Sequence, residues 1–131
     1  MTQSQAPNPW PRRVGIGLSV LPVLMLLMSA WMKLSSNPEA VAGFKAMGYP
    51  DGAVFKLGIV ELLATILYVV PATSILGAIL LTGYLGGAVD VHVRVGDDLG
   101  KILTPVILGV IAWGGLYLRD PRLRALLPLK R

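Results

Sequence analysis

The sequence predicts an all-α integral membrane protein, a four-helix bundle with a short interfacial helix between spans one and two. Three observations carry that reading. The 131 residues are 54% hydrophobic and 15% charged, with a mean hydropathy of +0.67, which is too apolar for a water-soluble domain of this length. The apolar residues gather into runs long enough for membrane helices, at about residues 14–34, 53–70, 72–94 and 101–118. Arginines cluster at both ends of the chain, as the positive-inside rule expects when an even number of spans leaves both termini cytoplasmic. No internal repeat, low-complexity tract or second domain is visible, so residues 1–131 read as one membrane domain of the cell membrane.

Composition also removes whole classes of function. There is no cysteine, which excludes disulfides, thiol chemistry and thiolate metal sites within the chain. The single histidine argues against a zinc or haem site, so no metal is expected. The net charge of +5 lies at membrane flanks and in the terminal tail rather than on an amphipathic face, so the partner it points to is the bilayer and not a nucleic acid.

Trp10, Pro11, Arg12 and Arg13 form an interfacial anchor beside a positive cluster before the first span. That span is expected to kink at Pro22 and to turn Gly15, Ser19, Pro22, Ser29 and Lys33 inward, leaving Leu21, Leu24 and Met28 for lipid. Asn37, Pro38 and Glu39 are a helix start, and Gly48 a stop, with Val41, Phe44 and Met47 every third residue. The short helix between them lies at the interface or lids the bundle. The second span carries Glu61 near its middle, a costly carboxyl unless paired or protonated, on a stripe with Gly58, Thr65 and Tyr68. Pro71 ends that span in a tight hairpin.

The third span closes on T-G-Y-L-G-G-A-V-D-V-H-V-R, residues 82–94. Gly83, Gly87, Asp90 and Arg94 share one helical stripe, so a G-x-x-x-G packing seam is expected to run into an Asp90–Arg94 ion pair. His92 points about 180° from Arg94 and reads as interfacial. Asp97 and Asp98 suggest either a helix cap or a cation site, and with two carboxylates the cap is the better fit. The last span is followed by a basic cytoplasmic tail, residues 119–131.

The quoted segment, the V-G-D-D-L after it and the later W-G-G-L-Y-L-R-D-x-R-L-R-A-L-L-P resemble the DoxX-like family of small four-span membrane proteins. So do the early P-x-W-P-R-R, the Lys33–Leu34 pair and G-Y-P at residues 48–50. The resemblance implies a four-helix membrane bundle. The family takes its name from a small subunit associated with a quinone-linked sulfur oxidoreductase.

Counted at 1.5 Å per residue, Glu61 and Tyr84 lie roughly 12 to 15 Å below the outer surface, level with Gly109, while Asp90, Arg94, Ser29 and Lys33 lie above them. Lys33, Glu61, Tyr84, Asp90 and Arg94 therefore make a candidate pocket. Two functions fit. One is a non-catalytic membrane subunit or assembly partner of an oxidoreductase, docking a membrane or peripheral protein, or a second copy of itself, through the glycine seam and the cationic tail. The other is a binding protein or transporter for a quinone or another small molecule. Neither requires catalysis by this chain or a tightly bound cofactor.

Overall fold

Helix α1 spans Trp10–Leu34 in the computed structural model, which describes residues 8–128. Met1 and Arg131, expected on the cytoplasmic side, lie outside the described residues. Gly15, Ser19, Pro22, Leu26, Ala30 and Lys33 are the buried positions of α1, spaced three or four apart as one helical face requires. Leu21, Leu24 and Met28 are exposed, as expected of a lipid-facing side. The helix continues through Pro22, which is fully enclosed by its neighbours.

Helix α2 is Pro38–Ala46. It starts where the sequence said, because Asn37 Oδ1 accepts from the amides of Glu39 at 3.0 Å and Ala40 at 3.3 Å and Pro38 needs no amide partner at the first helical position. Helix α3 is Ala53–Val69. Pro71–Thr73 makes a single 3-10 turn, and α4 follows at once as Ser74–Arg94. Asp98 accepts from the Lys101 amide at 3.0 Å and so caps α5, Leu99–Arg119. Asp120 caps the short α6, Pro121–Leu126, through the Arg122 amide.

The four long helices pack in a ring: α1 lies against α3 and α5, and α4 lies against the same two. Helix α1, the Pro71–Arg94 segment and α5 are each long and apolar enough to cross a membrane. Helix α3 has 17 residues, about 25 Å at helical rise.

Glycines close the ring, among them Gly15 on the expected inward face of α1, but not the two of the G-x-x-x-G motif. A Cβ at Gly15 would lie 2.5 Å from the Gly115 carbonyl oxygen and 2.6 Å from the Arg119 nitrogen, so α1 and α5 meet backbone to backbone. A Cβ at Gly77 would collide with the backbone of Leu67 and Tyr68. At Gly83 and Gly87 a Cβ meets nothing within 4 Å, which corrects the expected packing seam. The close approach falls earlier on α4. The short turn at Pro71 pins α3 and α4 together at Gly77, while Gly83 and Gly87 face the open side of the helix.

Candidate functional site

Lys33 occupies the last turn of α1 on its buried face, and Glu61 the middle of α3. Gly58, one turn before Glu61, lets the two helices approach, since a Cβ there would stand 2.9 Å from Lys33 Cβ. The Lys33 ammonium donates to Glu61 Oε2 at 2.8 Å and to Ser29 Oγ at 2.5 Å. Ser29 in turn donates to the same Oε2 at 3.2 Å, and the Tyr84 hydroxyl does so at 3.1 Å. Both members of the ion pair are enclosed, with Glu61 1% and Lys33 7% exposed. Burial on this scale is tolerable only because each charge is answered by the other and by hydroxyls.

The network is lopsided. Three donors converge on Oε2, and Oε1 accepts no hydrogen bond among the described residues. Two of the three Lys33 donors are used, and its ammonium otherwise faces the rings of Phe44 at 5.6 Å and Tyr84 at 5.7 Å. Beside this network lies a cavity of about 670 Å³, with walls drawn from α1, α3, α4 and α5 and an end closed by Phe44, Met47 and Tyr49. Phe44 of α2 and Tyr49 just after it stack edge to face, with ring centroids 5.1 Å apart. Gly83 and Gly87 line the same cavity. Their missing side chains make room rather than contact.

Lys33, Glu61 and Tyr84 thus come together, while Asp90 and Arg94 stay apart from them. Both are exposed, and no ion pair joins them. Water solvates each charge, so an exposed pair four residues apart gains little from closing. The Arg94 guanidinium instead donates to the Met47 carbonyl at 3.3 Å, at the end of α2 where carbonyls lack helical partners.

His92 was set aside on helical direction, yet it lines the cavity, with Nδ1 2.6 Å from Asp97 Oδ2. Gly96, at a φ of +74°, folds the chain back over the last turn of α4 and brings Asp97 to it. Lys101, 3.9 Å from Asp97, lines the cavity too. The signal for this cluster was the glycine followed by two aspartates just after the helix, a turn signature rather than a helical stripe.

At the opposite end, Tyr68 is fully enclosed, its hydroxyl donating to the Ala112 carbonyl at 2.6 Å and lying 3.1 Å from Ser19 Oγ. Three arginines at and just after the end of α5 each reach a backbone carbonyl. Arg119 donates to the Tyr68 carbonyl at 2.8 Å, Arg122 to that of Pro71 at 2.8 Å and Arg124 to that of Leu118 at 2.6 Å. Asp120 is held below its usual 3.8, first by its hydrogen bond from the Arg122 side chain, with a further one from Ser74.

The family model described as the DoxX-like family matches residues 17–115, a range that contains most of α1, the Lys33–Glu61–Tyr84 layer and most of α5. Neither the curated proteins nor the solved structures contain a match to the chain.

Proposed function

This chain belongs to the DoxX-like family of membrane proteins, and on that premise we propose that it binds a small molecule with a quinone-like headgroup in the cavity beside Glu61. The observation that carries this is the uneven bonding of the buried ion pair. Among the described residues Glu61 Oε1 is an acceptor without a donor and Lys33 has a donor to spare, and both residues line a cavity of about 670 Å³. A quinone carbonyl would accept from Lys33, and the hydroxyl of its reduced form would donate to Oε1. Leu26, Leu85 and Leu108 on the walls suit an apolar ring.

The role is binding and not turnover by this chain alone. It suits a membrane subunit that presents a quinone to a partner of an oxidoreductase system. Of the docking surfaces expected for such a subunit, the two glycines line the cavity, and Arg119, Arg122 and Arg124 each donate to a backbone carbonyl.

We further propose four spans, with both termini on the cytoplasmic side of the cell membrane. Helix α3 is short, but packs between α1 and α4, and 17 residues is at the lower limit for crossing a bilayer core. Arg12, Arg13, Arg119, Arg122 and Arg124 gather at one end against Asp120 alone, whereas the other half mixes Lys33, Lys45, Lys56, Arg94 and Lys101 with six carboxylates.

Equilibrium dialysis of menadione against detergent-purified protein tests the binding. Saturable uptake is expected, weakened at least tenfold by Gly87→Leu, which fills the cavity. Absence of saturable binding, or equal binding by the variant, would refute the reading.

A further inference from the structure

A second cavity, of about 690 Å³, lies at the arginine-rich end and shares no lining residue with the first. Along its α1 wall, beside Ser19 and Val23, runs a stripe of Arg12, Ile16, Val20 and Leu24, each four residues from the next. The stripe begins in a charge and continues through three exposed apolar side chains for about 18 Å along the helix.

Across the mouth stand Arg119 and Arg122. They differ in what they hold. Arg122 is committed to both oxygens of Asp120, at 3.1 and 2.8 Å, and to the Pro71 carbonyl. Arg119 stacks over the Tyr68 ring at 4.7 Å and donates from Nη2 to the Tyr68 carbonyl. Among the described residues its buried Nε has no acceptor and its Nη1 makes no hydrogen bond. Arg12 is exposed and makes no ion pair among the described residues. With Asp120 answered by Arg122, the mouth keeps two uncompensated guanidinium charges above an apolar trough, one of them fixed in place by Tyr68. The Nε is enclosed, whereas Nη1 is not, so it is through Nη1 that Arg119 can meet an acceptor from outside the protein.

We propose that this trough binds an anionic phospholipid, with its phosphate between Arg12 and Arg119 and an acyl chain along Ile16, Val20 and Leu24. The charge pattern selects an anionic head, guanidinium suits phosphate oxygens, and the apolar stripe distinguishes a lipid from free phosphate. The site is independent of the quinone reading, because it lies at the other end of the molecule.

The test uses the full chain in a non-ionic detergent, titrated with dioleoyl phosphatidylglycerol, dioleoyl phosphatidylcholine or inorganic phosphate and followed by native mass spectrometry and thermal unfolding. Phosphatidylglycerol is expected to bind at least threefold more tightly than phosphatidylcholine and to raise the Tm, with inorganic phosphate giving no shift. Arg119→Gln and Arg12→Gln should each remove most of that preference. Lys56→Gln, at the other end, should keep it. Because Arg119 also braces Tyr68, Arg12→Gln is the decisive variant, since the Arg12 side chain makes no ion pair or hydrogen bond among the described residues. Equal binding of the two lipids, an unchanged preference in Arg12→Gln, the same loss in Lys56→Gln, or a Tm shift reproduced by inorganic phosphate would each overturn the proposal.

Discussion

Lys33 Nζ and Glu61 Oε2 lie 2.8 Å apart across 28 residues of sequence, almost wholly enclosed by protein. Removing either charge alone leaves the other stranded, at a cost of about 3 to 5 kcal/mol. Glu61→Gln and Lys33→Met should therefore each lower stability strongly. The double variant should recover much of the loss, since a neutral pair of similar volume has no desolvation to repay. Unfolding of all three in the same detergent measures the coupling, and additive losses would mean that the pair contributes nothing as a pair.

Gly77 and Gly87 should respond in opposite ways to a larger residue. At Gly77 a side chain meets the Leu67 and Tyr68 backbone, where overpacking costs about 1 to 3 kcal/mol or more. At Gly87 it enters open space, so Gly87→Leu should keep the Tm of the parent while blocking the cavity. Equal destabilisation by Gly77→Ala and Gly87→Leu would contradict the geometry.

Tyr68 ties α3 to α5 through the Ala112 carbonyl and to α1 through Ser19. Tyr68→Phe keeps the ring and leaves the Ala112 carbonyl without this donor, which should cost about 1 to 3 kcal/mol. Thermal unfolding reads it directly.

Asp120 sets an acid limit on the α5–α6 junction. Its carboxyl is held below its ordinary value by Arg122, so the folded state binds a proton less readily than the unfolded one. The stabilisation is present above the unfolded value of about 3.8 and is lost as pH falls through the lower folded value. Between pH 6 and pH 3 the parent should lose more stability than Asp120→Asn does. An identical loss in both would remove Asp120 from the account.

Reporter fusions after residues 8 and 128 should report the same side of the membrane, and reporters inserted at Asn37 and Asp97 the other. Opposite sides for the two ends would refute an even number of spans.

Much was written in the sequence because it depends on local spacing. The buried stripe of α1, the inward face of α3 with Glu61, the Asn37 and Asp98 caps and the hairpin at Pro71 all follow from helical periodicity and capping chemistry, and the expense of a buried carboxyl announced that Glu61 needed partners. Which partners it took was decided by packing. Lys33 rather than Arg94 reaches it because Gly58 brings α1 close to α3, a distance no single-helix pattern contains. The same holds for the glycines of α4: G-x-x-x-G records only that side chains are missing. Whether another helix enters that space or it stays open depends on where the neighbouring helices lie, and here both glycines ended as part of a cavity wall. Sequence set the faces of the helices, and tertiary structure set the distances between them, because those distances depend on contacts between residues far apart in the chain.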